Sequence, residues 1–108
     1  MKRFALSPAQ FAVKAVEAAE LLRALAHDAR LMVLCQLTEG ERSVGELLQQ
    51  SALSQSALSQ HLARLREDGL VKTRREAQTI FYRIADPKAE RVLATLADIY
   101  CPPKRKLK

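Results

Sequence analysis

The stretch SQSALSQHLARLREDGL, residues 54–70, decides the fold. Leu58, Leu62 and Leu65 recur at i, i+4 and i+7, which makes one apolar stripe on a helix. Gln55, Ser56, Ser59, Gln60 and Arg64 fall on the opposite side. Amides, hydroxyls and guanidinium groups exchange hydrogen bonds with base edges and phosphates. A helix that is apolar on one face and amide-rich on the other reads as a recognition helix, spanning Gln55 to Asp68 and stopped by Gly69.

Upstream, Ser43-Val44-Gly45-Glu46 fits a capping box, in which the serine hydroxyl and the glutamate each satisfy a free backbone N–H. A short helix to about Gln50 and a tight turn over residues 51–54 follow. Downstream, in LVKTRREAQTIFYRIA, Val71, Thr73, Ile80, Tyr82 and Ile84 alternate, with Phe81 on the other face. That pattern predicts a two-stranded hairpin with its tip between Arg75 and Gln78.

The flanks are helical. Ser7-Pro8 supplies an N-cap and an N1 proline for a first helix reaching about Ala26. His27-Asp28 opens a second helix, ARLMVLCQL, which Gly40 can close at its C′ position. Asp86-Pro87 repeats the N-cap and proline signal for a last helix to about Tyr100, ended by Pro102 and Pro103. The order is helix, helix, helix, recognition helix, hairpin, helix. The expected fold is mainly α with a two-stranded β-wing, a winged helix-turn-helix. Residues 1–108 form a single domain with short basic tails at 1–6 and 102–108. Ala12, Ala15, Val16, Ala19 and Leu22 line the first helix, and Val92, Leu93, Leu96 and Ile99 the last. Core packing accounts for part of that surface. A homodimer through the first and last helices accounts for the rest, and gives a short recognition helix a second half-site.

The net charge is +6, and its placement carries the information. Lys2, Arg3, Lys104, Arg105, Lys106 and Lys108 hold six positive charges at the two ends, so the body is neutral. Between Glu17 and Glu46 there are six acidic and three basic residues; between Arg64 and Arg83 there are six basic and three acidic. The basic half coincides with the recognition helix and wing, as a polyanion partner requires. No apolar run approaches the roughly 20 residues that span a bilayer, and no secretory signal is read at the N-terminus. The expected compartment is the cytoplasm, with no membrane partner. No nucleophile–base pair, phosphate loop or carboxylate pair stands out, so no enzyme is expected.

Double-stranded operator DNA is the expected partner. Gln55, Ser56, Ser59 and Gln60 are candidates for base edges, and Arg64 for phosphate. His61 lies beside the apolar stripe, as a DNA contact or as a packing or capping residue. Arg74, Arg75 and Gln78 belong to the wing, where Arg75 or Gln78 can enter the minor groove. Phe81 and Tyr82 read as core.

The chain resembles the ArsR/SmtB family of small bacterial repressors in ALAHDARLMVLCQL, SVGELLQQSALSQSALSQHLARLREDGLV and TRREAQTIFYRI, over about residues 15–101. Asp28 stands where that family usually has proline. The family's thiolate motif falls on Ser43 and Gly45, which are not thiolates, and its carboxylate–histidine site on the last helix finds no histidine here. Only His27 and His61 are present, and neither lies on that helix. No metal site and no cofactor are expected, since zinc wants three or four N or S ligands.

Cys35 and Cys101, 66 positions apart, cannot form a CxxC motif. Unpaired cysteines of this kind are commonly small buried hydrophobes. LMVLCQL, SVGEL, TRREAQTIFYR and IYC also match a subgroup of the family, the BigR/SqrR-type persulfide and polysulfide sensors. That resemblance implies that Cys35 and Cys101 form a thiol switch joined by a polysulfide bridge within one subunit, with a persulfide or polysulfide as inducer. Chemically, a sensor thiol must react as thiolate and then meet a resolving thiol. Arg30 and Arg91 are candidates for favouring the thiolate. Three functions stay open: a dimeric thiol-switched repressor, a metalloid sensor of the As(III) type, and a winged-helix DNA-binding protein with inert cysteines.

Overall fold

The structure, a computed structural model, describes residues 5–101. Of the two basic tails, residues 1–4 and 102–108 lie outside the described residues, as do the terminating prolines 102 and 103. Helix α1 spans Pro8–Leu25, α2 Asp28–Leu37, strand β1 Arg42–Ser43, α3 Val44–Gln49 and α4 Gln55–Glu67. The wing strands β2 Val71–Glu76 and β3 Thr79–Ile84 follow, then α5 Pro87–Tyr100.

Local chemistry sets these boundaries. Ser7 caps α1 in a full capping box with Gln10, and Ser43 does the same for α3 with Glu46. His27 caps α2 through Nδ1, which accepts the Ala29 N–H at 3.1 Å. Gly69, at φ +75°, follows the Asp68 cap of α4. Its N–H reaches the Arg66 carbonyl and the Leu70 N–H the Leu65 carbonyl, a Schellman motif that turns the chain into the wing. The end of α2 differs from expectation. Thr38 is the cap, its hydroxyl donating to the Cys35 carbonyl at 2.6 Å, and Gly40 lies one residue beyond C′.

The hairpin acquires a third strand. β1 pairs antiparallel with β3, Arg42 opposite Tyr82 and Ser43 opposite Phe81, giving the order β1-β3-β2. Two residues are too few to show alternation, so sequence periodicity cannot find them. In the wing, Val71 opposes Ile84 and Thr73 opposes Tyr82 on the core-side face. Leu58, Leu62 and Leu65 of α4 are buried with Val33, Leu34 and Leu37 of α2, Leu47 of α3 and Leu93 of α5. Each such leucine stabilises the fold by about 1.5–3 kcal/mol.

Helix α1 is the exception. Among its residues only Leu25 is buried, while Phe11, Val13, Val16 and Leu22 are exposed, three of them by more than half. The radius of gyration, 16.2 Å, exceeds the ~13 Å of a compact 100-residue domain, as a projecting helix requires. Of the α5 residues named above, Leu93 is buried, Val92 and Leu96 half-buried and Ile99 exposed.

Candidate functional site

Helices α3 and α4, joined by residues 50–54, form the helix-turn-helix. Ser54 anchors the entry to α4, its hydroxyl accepting the Ala57 N–H at 3.1 Å. With the three leucines turned inward, Gln55, Ser56, Ser59, Gln60 and Arg64 are all exposed. Arg64 Nε lies 3.7 Å from the Asp68 carboxylate, an exposed pair that leaves the guanidinium accessible.

His61 faces elsewhere. It is half-buried, and its ring packs against His27 at the start of α2, centroids 4.9 Å apart and planes tilted by 54°. Desolvation holds its imidazole below the usual range; His27 and Arg30 act in the same direction and Asp28 opposes them.

The wing residues divide. Arg75 is exposed beside the turn and Gln78 within it, and among the described residues Arg75 has no ion-pair partner. Arg74 is engaged. Its Nε donates to both Glu41 carboxylate oxygens at 3.0 and 2.9 Å, and its guanidinium lies over the Phe81 ring, 4.6 Å from the centroid. The hydrogen bond from Arg74 holds the Glu41 carboxyl below the usual carboxylate range, aided by the charges of Arg74 and Arg83. Sequence reasoning did not single out Lys72 and Arg83. The register sets them directly opposite on the outer face, both exposed, and two like charges so placed repel. Their membership of the basic segment was the available signal.

The two cysteines border the same cleft. Cys35, half-buried near the end of α2, and Cys101, exposed at the cap of α5, line one cleft of about 610 Å³. Gln36, Thr38 and Glu39 after Cys35, Arg42 of β1 and Glu46 of α3 complete much of its wall. Burial pushes the Cys35 thiol up, and the neighbouring Cys101 adds to the effect. Arg30 and Arg91 do not supply the expected thiolate stabilisation. Arg30 Nη1 donates to the Ala24 carbonyl at 2.9 Å, and Arg91 lines a separate depression with Lys88 and Thr95. Among the described residues, the cation lining the cleft is Arg42. Among the described residues no group of three or more His, Cys, Asp or Glu side chains is gathered to hold a metal ion. None of the described helices is long and apolar enough to cross a membrane.

The signature described as "Bacterial regulatory protein, arsR family" matches residues 27–73, from the cap of α2 into the wing. The chain is 52% identical over 94 residues to the biofilm growth-associated repressor of Agrobacterium fabrum, covering 87% of this chain and 80% of that protein. The chain belongs to the arsR family. A second family member, the transcriptional activator HlyU of Vibrio cholerae, is 52% identical over 85 residues, covering 79% of each. Among solved arsR-type structures, the transcriptional repressor BigR from Xylella fastidiosa superposes with a TM-score of 0.83 at 44% identity, over 94% of this chain and all of that one. The reduced form of HlyU from Vibrio cholerae gives 0.80 at 48%, over 84% and 96%. This arsR-family chain is a DNA-binding transcriptional regulator with a winged helix, and not an enzyme.

Proposed function

We propose that this regulator is a dimeric repressor that holds operator DNA when reduced and lets go when Cys35 and Cys101 are bridged by sulfur. The observation that carries the reading is the shared cleft, which collects two thiols 66 positions apart. Similarity to proteins named biofilm growth-associated repressor supports repression, and a relative described as reduced HlyU supports a thiol state that matters. Gln55, Ser56, Ser59, Gln60 and Arg64 read one half-site, with Arg75 and Gln78 reaching the minor groove and Arg74 shaping the wing. The exposed apolar faces of α1 and α5 form the two-fold contact.

The chemistry balances without a further oxidant. A cysteine thiolate attacks the outer sulfur of a persulfide RSSH, its S–S bond breaks, and RSH leaves with the proton. When both cysteines carry an added sulfur, the terminal sulfur of one attacks Sγ of the other and expels sulfide. In sum, two CysSH and two RSSH give Cys–S–S–S–Cys, two RSH and H₂S. The sulfane sulfur is the oxidant. A bare disulfide needs Cα atoms within about 7 Å, and added sulfur lengthens the reach. Because Cys35 lies on α2, whose Val33, Leu34 and Leu37 are buried with the leucines of α4, and Cys101 ends α5, a bridge across the cleft ties the support of the reading helix to the dimer contact.

Coupling of about 1–3 kcal/mol weakens operator affinity about 5–150-fold. The test is operator affinity of the wild type and of Cys35→Ser before and after a polysulfide donor, with mass spectrometry of the product. Wild type should lose affinity as sulfur mass appears, and Cys35→Ser should keep it. A full response in Cys35→Ser rules the switch out.

A further inference from the structure

We propose that the cysteine cleft selects its inducer by the charge of the sulfur carrier, and that the preferred carrier is an ammonium-bearing low-molecular-weight persulfide. The inference rests on the thiol-switch reading and names the substrate class of that site.

Two independent features of the wall point to a cationic donor. Among the described residues, the ionisable side chains lining the cleft, apart from the thiols, are Glu39, Glu46 and Arg42, which leaves one net negative charge. Arg42 Nη2 lies 3.3 Å from Glu39 Oε1 and is already engaged. Glu46 uses Oε1 to accept the Ser43 N–H at 2.8 Å, so its other oxygen remains for a ligand. The second feature is Gln36. Its Oε1 is buried with no hydrogen-bond partner among the described residues, while the side chain borders the cleft. An unsatisfied buried acceptor is costly, and turning toward a donor in the cleft relieves it. An ammonium group offers three donors and the charge that Glu39 and Glu46 lack.

The same field acts against inorganic hydropolysulfide anions, which carry the sign of the wall. In the favoured encounter the ammonium of the carrier sits between Gln36, Glu39 and Glu46 and its outer sulfur faces a cysteine. The thiolate takes that sulfur, the persulfide S–S bond breaks, and the aminothiol leaves as its thiol.

The test measures labelling rates of the reduced protein, site by site, with three methanethiosulfonates of similar size. These carry aminoethyl, trimethylammonioethyl and sulfonatoethyl groups. The aminoethyl reagent should outpace the sulfonate on the order of tenfold at low salt, after correction for rates with a free thiol. It should also outpace the trimethylammonium reagent, which has no N–H, and this margin should vanish in Gln36→Leu. Glu39→Gln combined with Glu46→Gln turns the wall net positive while glutamine keeps the α3 capping box, and should reverse the charge preference. Equal rates for the two charges in wild type, or a preference unchanged by the double variant, overturn the proposal. Operator release by cysteamine persulfide and by 3-mercaptopropionate persulfide separates the two readings. Charge-selective labelling without release removes the switch and keeps the selectivity. Release at equal concentrations of both carriers removes the selectivity and keeps the switch.

Discussion

The guanidinium of Arg74 clasps the carboxylate of Glu41, Nε donating at 2.9 Å to Oε2 and Nη2 lying 2.9 Å from Oε1, across 33 positions of chain. The clasp ties the middle of the wing to the segment before β1, and Phe81 supports it from beneath. Arg74 and Arg75 are adjacent in sequence yet face opposite sides of the sheet, and their roles should separate. Arg74→Ala should lower the melting temperature and expose the wing turn to protease. Arg75→Ala should leave melting unchanged, weaken operator binding and reduce the salt slope of log K by about one phosphate contact. The same salt slope in Arg75→Ala and wild type would remove Arg75 from the interface.

The wing turns on Ala77 and Gln78, between the paired Glu76 and Thr79. Ala77 has φ +57°, the only positive φ among described non-glycine residues, and a side chain there costs about 1–2 kcal/mol. Ala77→Gly relieves that cost and adds the unfolded-state entropy of glycine, so the net gain should be about 0.5–1 kcal/mol. Urea denaturation checks it. A loss of stability would mean that neighbouring contacts, not backbone strain, set this turn.

Features written in neighbouring residues were legible in the sequence. The capping box of Ser43 and Glu46, the stripe of Leu58, Leu62 and Leu65, and the hairpin of β2 and β3 all arise from interactions within a few positions, and each holds in the structure, although Phe81 is half-buried like its neighbours Ile80 and Tyr82. What escaped is tertiary. β1 exists only because β3 offers it an edge. The partner of Arg74 lies 33 positions away, with nothing local to name it. The thiolate-favouring roles expected of Arg30 and Arg91 failed for the same reason, since proximity to a sulfur depends on how α2 and α5 are turned. The turn of α4 was also decisive for His61, which packs on His27.

The exposed apolar residues of α1 are the strongest argument for a second subunit. Val16 and Leu22 are 58% and 55% exposed, an unusual fraction for residues on an alanine-rich helix facing water. Val16→Glu combined with Leu22→Glu should convert the proposed dimer to monomer in sedimentation while the helical circular dichroism stays close to wild type. Operator affinity should fall steeply, because one reading helix then loses its partner half-site. A double variant that remains dimeric would place the contact elsewhere.

His61 gives stability a pH dependence of definite sign. Desolvation, with His27 and Arg30, holds its folded-state pKa below the ordinary value of about 6.5. The unfolded chain therefore binds more protons in the window between the two values. The contribution is fully present above about pH 6.5, falls as pH drops through that window, and levels off below the folded pKa. His61→Gln should flatten the slope of unfolding free energy between about pH 5 and pH 7. Parallel curves for the variant and wild type would show that other groups carry the acid sensitivity.

The cysteines should be kinetically unequal. Burial raises the Cys35 pKa and the neighbouring Cys101 adds to it, so Cys35 holds less thiolate at neutral pH than an ordinary thiol. Cys101 is exposed and meets a reagent first. With iodoacetamide on the native protein, Cys101 should be labelled well before Cys35, and the Cys35 rate should keep rising as pH passes the usual thiol range. In Cys101→Ser, the neighbouring thiol that opposes ionisation of Cys35 is gone, so the Cys35 profile should shift toward lower pH. Mass spectrometry of the two cysteine peptides reads all three outcomes. This order fits a switch in which the exposed thiol takes up sulfur first and the half-buried one second, before the two are bridged. Equal labelling of both cysteines at neutral pH would remove the division of labour, and no labelling of either would make them inert.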